Sequence, residues 1–266
     1  MEDDEFLAFI ARHTEGSDGI VDAAPHFYAV RPRVEDVLAQ AASIVGPLRA
    51  ATTTVREIMR EPYIGELDID ATLENMVGKE FPERDDWIVQ IREERRHQVV
   101  MMMDASLSMA GENLSVAAVA VAIMAFKIKP EDLAVVVFED EARVVTRLDA
   151  TDSPQDVIRS MLDQPGLGVT DIEAALLKGA REITRARNPR RSGLLVTDGR
   201  PTKGAADPSD IAYLFPHLHV LLTEDKYMDE ELCRSIAAAG NGEVFPVRTI
   251  QELPQRMLDV ANGVLR

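Results

Sequence analysis

Five apolar residues in an unbroken run, Val99 to Met103, lead straight into Asp104 and the alternating hydroxyls of Ser106 and Ser108. A run without polar interruption suits a central parallel strand covered on both faces, because a half-wet strand alternates apolar with polar. Beyond it, Leu114 to Ile128 is apolar almost all round, which predicts a helix buried in a larger domain and stopped by Pro130. Leu133 to Phe138 reads as a second buried strand, Glu139-Asp140-Glu141 as a tight turn, and Ala142 to Leu148 as an alternating strand carrying Arg143 and Arg147 on one face. So short a connection makes that pair an antiparallel hairpin at the sheet edge.

The remainder alternates helix and strand. Ser153-Pro154 supplies an N-cap followed by proline at the first helical position, with Val157, Ile158, Met161 and Leu162 as the buried stripe. After a turn at Asp163-Gln164-Pro165-Gly166, Gly166 to Asp171 leads into a helix with Ile172, Leu176, Ala180 and Ile183. Strands then follow at Gly193–Thr197, His217–Leu222 and Glu243–Val247, with helices at Pro208–Phe215 and Asp229–Ala239 between them, the latter closed by Gly240. A final helix with Leu253, Met257, Val260 and Val264 opens on a capping-box pattern, Thr249 and Glu252. Repeated strand–helix units with one hairpin predict an α/β fold, a doubly wound and mostly parallel sheet with one antiparallel edge strand.

The N-terminal third is less regular. A short helix is expected at Glu5–Arg12, then a loop-like run to Pro32. Apolar positions from Val37 to Ile58 recur near helical spacing, with Gly46-Pro47 breaking the run, so two helices are expected between Val34 and Met59. A short helix at Ala71–Val77 and a polar strand or arm at Trp87–Arg96 complete a mainly helical extension, residues 1–90, before the α/β domain, residues 91–266. Asp68 and Asp70 read as a solvated face, and Arg92, Arg95, Arg96 and His97 as salt-bridged surface.

Charge narrows the partners. Twenty-nine Lys and Arg against 46 Asp and Glu leave a formal charge of −17, which repels phosphate backbones and favours cations or basic surfaces, so no nucleic acid is expected. The single Cys233 cannot form an intramolecular disulfide and reads as a small core residue on a helix. The longest apolar stretch is too short to span a bilayer, and the acidic start Met1-Glu2-Asp3-Asp4-Glu5 is the reverse of a basic export signal, so no membrane insertion and a cytoplasmic protein are expected.

Three separated loops meet at one end of the predicted sheet: Asp104/Ser106/Ser108, Thr170/Asp171 and Asp198. They offer hard oxygen ligands with no nitrogen or sulfur, which selects Mg²⁺, with Mn²⁺ or Ca²⁺ as alternatives, over zinc. Hydroxyls balanced by so few carboxylates leave an ion incompletely neutralised, open to a carboxylate from outside. The plainer reading makes these residues helix caps. A phosphatase of the haloacid dehalogenase kind, using Asp104 and Mg²⁺, needs a second Asp two residues on, where this chain has Ser106. A structural adaptor with a vestigial metal site is a further alternative. A dinucleotide enzyme needs more glycine after the first strand, and none of the five histidines, at 13, 26, 97, 217 and 219, falls in a loop suited to a serine hydrolase.

From about Gln98 onward the chain resembles a von Willebrand factor type A (VWA) domain, a Rossmann-like fold. Asp104-Ala105-Ser106-Leu107-Ser108 matches its Asp-x-Ser-x-Ser motif, Thr170 its single Thr, and Asp198 in Val196-Thr197-Asp198-Gly199 its second Asp. The resemblance implies a metal-ion-dependent adhesion site, with those five residues around the ion and Leu107, Met109, Val169, Asp171, Gly199 and Arg200 as the surface a partner's Asp or Glu would meet. Gly65-Glu66-Leu67-Asp68-Ile69-Asp70-Ala71, the Arg-rich arm and the final Pro-containing helix resemble the cytoplasmic CoxE and NorD group, which is similar in turn to the metal-site domain of magnesium chelatase's D subunit. That narrower resemblance implies work with an AAA+ ATPase of the MoxR type in activating a client enzyme or inserting its metal. No glycine-rich phosphate loop ending in Lys-Ser or Lys-Thr is present, so ATP chemistry is expected from a partner and no enzymatic activity from this chain.

Overall fold

The computed structural model describes residues 32–45, 52–60, 65–79, 81, 83–94, 96–109, 111–164, 169–205, 207–223 and 228–265. The helix expected at Glu5–Arg12, the loop after it up to residue 31 and the second half of the turn expected at Asp163-Gln164-Pro165-Gly166 lie outside these residues. The chain divides into two compact units, Arg49–Arg95 and the remainder.

In chain order the described helices and strands are α1 Val34–Val45, β1 Thr52–Ile58, β2 Glu66–Leu67, α2 Ile69–Met76, β3 Ile88–Glu94, β4 Gln98–Asp104, α3 Glu112–Lys127, β5 Leu133–Phe138, β6 Ala142–Thr146, α4 Pro154–Leu162, α5 Ile172–Ile183, β7 Arg191–Thr197, α6 Ser209–Ala212, β8 Leu218–Thr223, α7 Glu230–Ala239, β9 Val244–Val247 and α8 Leu253–Val264. In the larger unit, six strands form one sheet in the order β6-β5-β4-β7-β8-β9. Every neighbouring pair is parallel except β5 with β6, so the expected doubly wound α/β sheet with one antiparallel edge strand is what forms.

The unbroken apolar strands follow from having helices on both faces. Met101 and Met103 of β4, Val135 of β5 and Val196 of β7 join one core with α1, α3, α4 and α8. Val100 and Met102, Val136 and Leu195 join the other with α5 and α7. Alternate residues of a strand point to opposite faces. Each strand therefore feeds both cores, and β4 is buried along its whole length. The helix α3 is apolar all round for the same reason, with Leu114 and Val116 through Ala125 buried. Both sheet edges resist extension: Pro246 lies in β9, and β6 is short, irregularly paired and carries the exposed Arg143.

The unit Arg49–Arg95 holds a three-stranded antiparallel sheet, β1-β3-β2, with α2 packed on it. The second helix expected before Met59 is in fact β1, whose Thr52-Thr53-Thr54-Val55 start is β-branched and suits a pleated strand better than a helix. The first expected helix is α1; its Val37, Ala41 and Ile44 are buried in the core shared with α3. Asp68 is buried rather than solvated: it caps α2 and accepts from Arg56 Nε at 2.6 Å and Gln90 Nε2 at 2.8 Å, whereas Asp70 is exposed.

Two further expectations change near the ends of the larger unit. The Thr249/Glu252 box does not form: Glu252 N donates to the Thr249 carbonyl, its carboxylate accepts from Arg248 N, and α8 begins only at Leu253. Pro254 suits that first turn. The basic cluster is also split, because Arg96 forms a two-pronged pair with the buried Asp132, at 2.7 and 2.9 Å, while His97 is buried. His97 Nε2 lies 2.9 Å from Ser192 Oγ, which also donates to the Val264 carbonyl of α8.

Burial, then the charges of His217, Arg190 and His219, depress the His97 pKa to about 4 against a weaker opposing pull from Asp132. The unfolded chain binds the His97 proton near pH 6.5 and the folded chain only near 4, so this contribution is present above 6.5 and is lost as pH falls toward 4. Urea unfolding is expected to show on the order of 3 kcal/mol of pH-dependent loss over that window that a His97→Gln variant lacks. Identical pH profiles for the two proteins would remove this assignment.

Candidate metal centre

The carboxyl end of β4 delivers Asp104 with none of its surface exposed. The backbone bends at once, because Ser106 N donates to Asp104 Oδ1 at 2.9 Å. Ala105 N meanwhile donates to the Phe138 carbonyl at 2.9 Å, holding the turn to the end of β5. The alternation of residues then brings Ser106 Oγ and Ser108 Oγ within 3.1 Å of each other. These residues do not cap the next helix: the N-cap of α3 is Gly111, without a side-chain cap bond.

Asp198, equally buried, stands at the end of β7, the other neighbour of β4. Its Oδ1 accepts from Arg200 N at 3.1 Å and its carbonyl from Asp229 N at 3.1 Å. The backbone at Gly199 has φ +78°, and a Cβ there would lie 2.6 Å from the Asp229 carbonyl oxygen and from Cys233 Sγ. Only glycine turns the chain so tightly beneath Asp198.

Thr170 arrives from a distant loop fastened on both sides of β4. Its N–H donates to Thr202 Oγ1 at 2.8 Å, and its carbonyl accepts from Thr202 N and Lys203 N, in the segment after β7. The next residue, Asp171, donates its N–H to the Glu139 carbonyl at 2.8 Å, just past β5. The Thr170 side chain is buried. Asp171 does act as a cap: its Oδ1 accepts from Ala174 N at 2.8 Å and starts α5.

Two carboxylates thus sit without solvent at the ends of adjacent parallel strands. The Asp104 carboxyl is pushed up to about 7, first by burial and then by the Asp198 charge, while bonds from Ser106 and Thr197 pull the other way. Anions buried side by side are costly unless a cation offsets them. Among the described residues no group of three or more His, Cys, Asp or Glu is placed to hold an ion, so any ion here would need oxygens other than carboxylates, which the hydroxyls of Ser106, Ser108 and Thr170 offer. A set of two carboxylates and three hydroxyl residues, all oxygen, fits a hard divalent ion and suits zinc poorly.

The surrounding surface is mixed. Val169 is exposed and Arg200 half-buried, and they lie next to Thr170 and two residues after Asp198 in sequence. Met109 is instead fully buried, its sulfur accepting from Thr223 Oγ1, so the side chain packs inside rather than facing a partner. Gly199 is also buried, and the Leu107 side chain lies outside the described residues. Sequence patterning overlooked Thr197, which donates from Oγ1 to Asp104 Oδ2 at 2.7 Å and accepts from Gly199 N at 3.1 Å. Its one signal was a hydroxyl at the end of an otherwise apolar strand. Cys233 is a buried thiol pushed up to about 12 by burial and nearby carboxylates, an inert core residue as expected.

The family described as VWA domain containing CoxE-like protein matches residues 41–209. This chain belongs to that family. The match takes in the smaller unit as well as the sheet from β4 to β7, and so every one of the five oxygen-bearing residues. Among solved structures, a von Willebrand factor type A protein from Catenulispora acidiphila is similar with a TM-score of 0.52 and 18% identity, over 67% of this chain and 45% of that one. Proximal thread matrix protein 1 from the mussel byssus is similar with a TM-score of 0.52 and 18% identity, over 62% of this chain and 47% of that one. The chain spans less than half the length of either, and at such identities the likeness concerns the fold alone. No curated protein matches. VWA domains commonly serve as protein-interaction modules.

In this VWA domain Thr197 is the clasp between two of the three loops. Thr197→Val keeps the shape but leaves the buried Asp104 Oδ2 without its donor, so a loss of about 1.5–3 kcal/mol in urea unfolding is expected. Thr197→Ser, which keeps the hydroxyl, is expected to lose clearly less; equal losses would mean that packing, not the hydrogen bond, is what Thr197 supplies.

Proposed function

We propose that this VWA domain is a metal-dependent adaptor that captures an Asp or Glu side chain of a protein partner. The observation that carries the reading is the convergence of Asp104, Ser106 and Ser108 with the buried Asp198 and the tethered Thr170 at one end of the sheet. Asp104, Ser106, Ser108, Thr170 and Asp198 would hold Mg²⁺, with Mn²⁺ or Ca²⁺ as substitutes. A bound ion supplies a positive charge with a coordination position left for an external carboxylate. The chain's own part is to hold the oxygens in place before the partner arrives. Asp104 is fixed from both of its oxygens by Ser106 N and Thr197 Oγ1, and Asp198 by Arg200 N.

Membership of the CoxE-like family supports a finer reading, in which the partner is an AAA+ ATPase of the MoxR type or the client enzyme it activates, in the cytoplasm. Among the described residues no helix is long and apolar enough to cross a membrane. A phosphatase of the haloacid dehalogenase kind is less well supported, because the position two residues after Asp104 carries Ser106, whose hydroxyl contacts Ser108, where a carboxyl acid is needed.

At about 100 times its dissociation constant, Mg²⁺ is expected to stabilise the chain by about 2.7 kcal/mol, a rise of roughly 5–10 °C in thermal midpoint. The rise should vanish in Ser108→Ala and Asp104→Ala, and capture of a co-expressed MoxR-type ATPase should be lost in EDTA and in Asp104→Ala. A midpoint indifferent to Mg²⁺, Mn²⁺ and Ca²⁺ would sink the metal reading; metal binding with ATPase capture insensitive to EDTA would sink the adaptor reading alone.

A further inference from the structure

The smaller unit contains a helix that faces the wrong way. A surface helix normally turns its apolar stripe to the core. In α2 the residue buried against the sheet is Thr72, whose hydroxyl accepts from Ile88 N at 3.0 Å, while Asp68 caps the first turn through Ala71 N. The apolar residues Ile69, Leu73 and Val77, spaced so as to share one face, are 63, 59 and 81% exposed. Phe81, just beyond the helix, is 76% exposed. The helix is therefore anchored by polar bonds and offers its greasy side outward. Exposed apolar side chains along one side of a helix point to an interaction surface.

Charge identifies the occupant. Glu66, Asp70 and Glu74 are exposed along or beside the stripe. Two nearby cations are already engaged by buried carboxylates, Arg56 by Asp68 and Lys79 by Asp86. We propose that the α2 face docks an amphipathic segment of another protein, with apolar anchors at helical spacing and Lys or Arg along its flank. A second copy of this chain fits poorly, since an isologous contact sets the same acidic rim against itself. The chain's own first 31 residues fit no better, carrying seven acidic residues against two arginines. An anionic lipid surface meets the same repulsion. The docking is separate from the candidate metal centre and needs no ion.

Fluorescence anisotropy on the full chain in EDTA provides the test, with an 18-residue Leu/Lys amphipathic peptide as the probe. Binding is expected for that peptide and not for a Leu/Glu peptide of the same pattern or a Lys/Ser peptide of the same charge. Leu73→Ser with Val77→Ser is expected to weaken binding at least tenfold, as is Ile69→Ser with Phe81→Ser. Glu66→Gln with Asp70→Asn and Glu74→Gln should weaken it and flatten its salt dependence. Failure of the Leu/Lys peptide to bind, equal binding of the Lys/Ser peptide, or indifference to both apolar double variants would overturn the proposal. So would self-association in sedimentation velocity that the Leu73/Val77 variant abolishes, which would give the face to a second copy.

Discussion

The arrangement at the end of the sheet turns on the burial of two like charges, Asp104 and Asp198, at the ends of neighbouring strands. Nothing in hydrophobic packing favours that. The surrounding structure reads as a set of responses to it: a backbone N–H and a threonine hydroxyl hold Asp104, a backbone N–H holds Asp198, and a glycine allows the turn that brings that N–H round. The raised Asp104 pKa shows that these bonds do not fully offset desolvation and repulsion. That imbalance is the physical support for the cation proposed at this site.

Rigidity around this end comes from strands that are buried throughout. β4 feeds both cores, so moving Asp104 would disturb methionine packing on both faces at once. Thr170, by contrast, has no strand of its own; it is held by backbone bonds to the segments beyond β5 and β7. The loop is only as well placed as its two neighbours. Main-chain hydrogen bonds, joined by the Thr202 and Thr197 hydroxyls, thus couple three distant stretches of sequence.

The larger unit was legible because its signals were long and mutually consistent: unbroken apolar runs for strands, and Ser153 as the N-cap in the expected place. The turn of Asp104, Ser106 and Ser108 was legible from spacing, since a strand end followed by alternate hydroxyls leaves few arrangements. Failures cluster where a local pattern was short. The helical spacing of Ile58 predicts a helix where β1 forms, although three consecutive threonines argue for strand. Asp68 and His97 looked solvated because residue type alone says nothing of Gln90, Arg56 or Ser192, which come from other elements. Thr249 and Glu252 matched a capping box, yet they form a turn ahead of the helix instead. Thr197 was missed for a different reason: its role is visible only once β4 and β7 lie side by side.

The two sheet edges carry their own implication. With Pro246 in β9 and a short, bulged β6 bearing Arg143, neither margin offers a continuous ladder of free backbone groups to an incoming strand. Strand-by-strand polymerisation and capture of extended peptides by sheet extension are both disfavoured. The larger unit is thus closed along its sides, and its assemblies must be built through side chains and loop tips, where recognition depends on chemical identity rather than on the generic hydrogen bonding of any backbone.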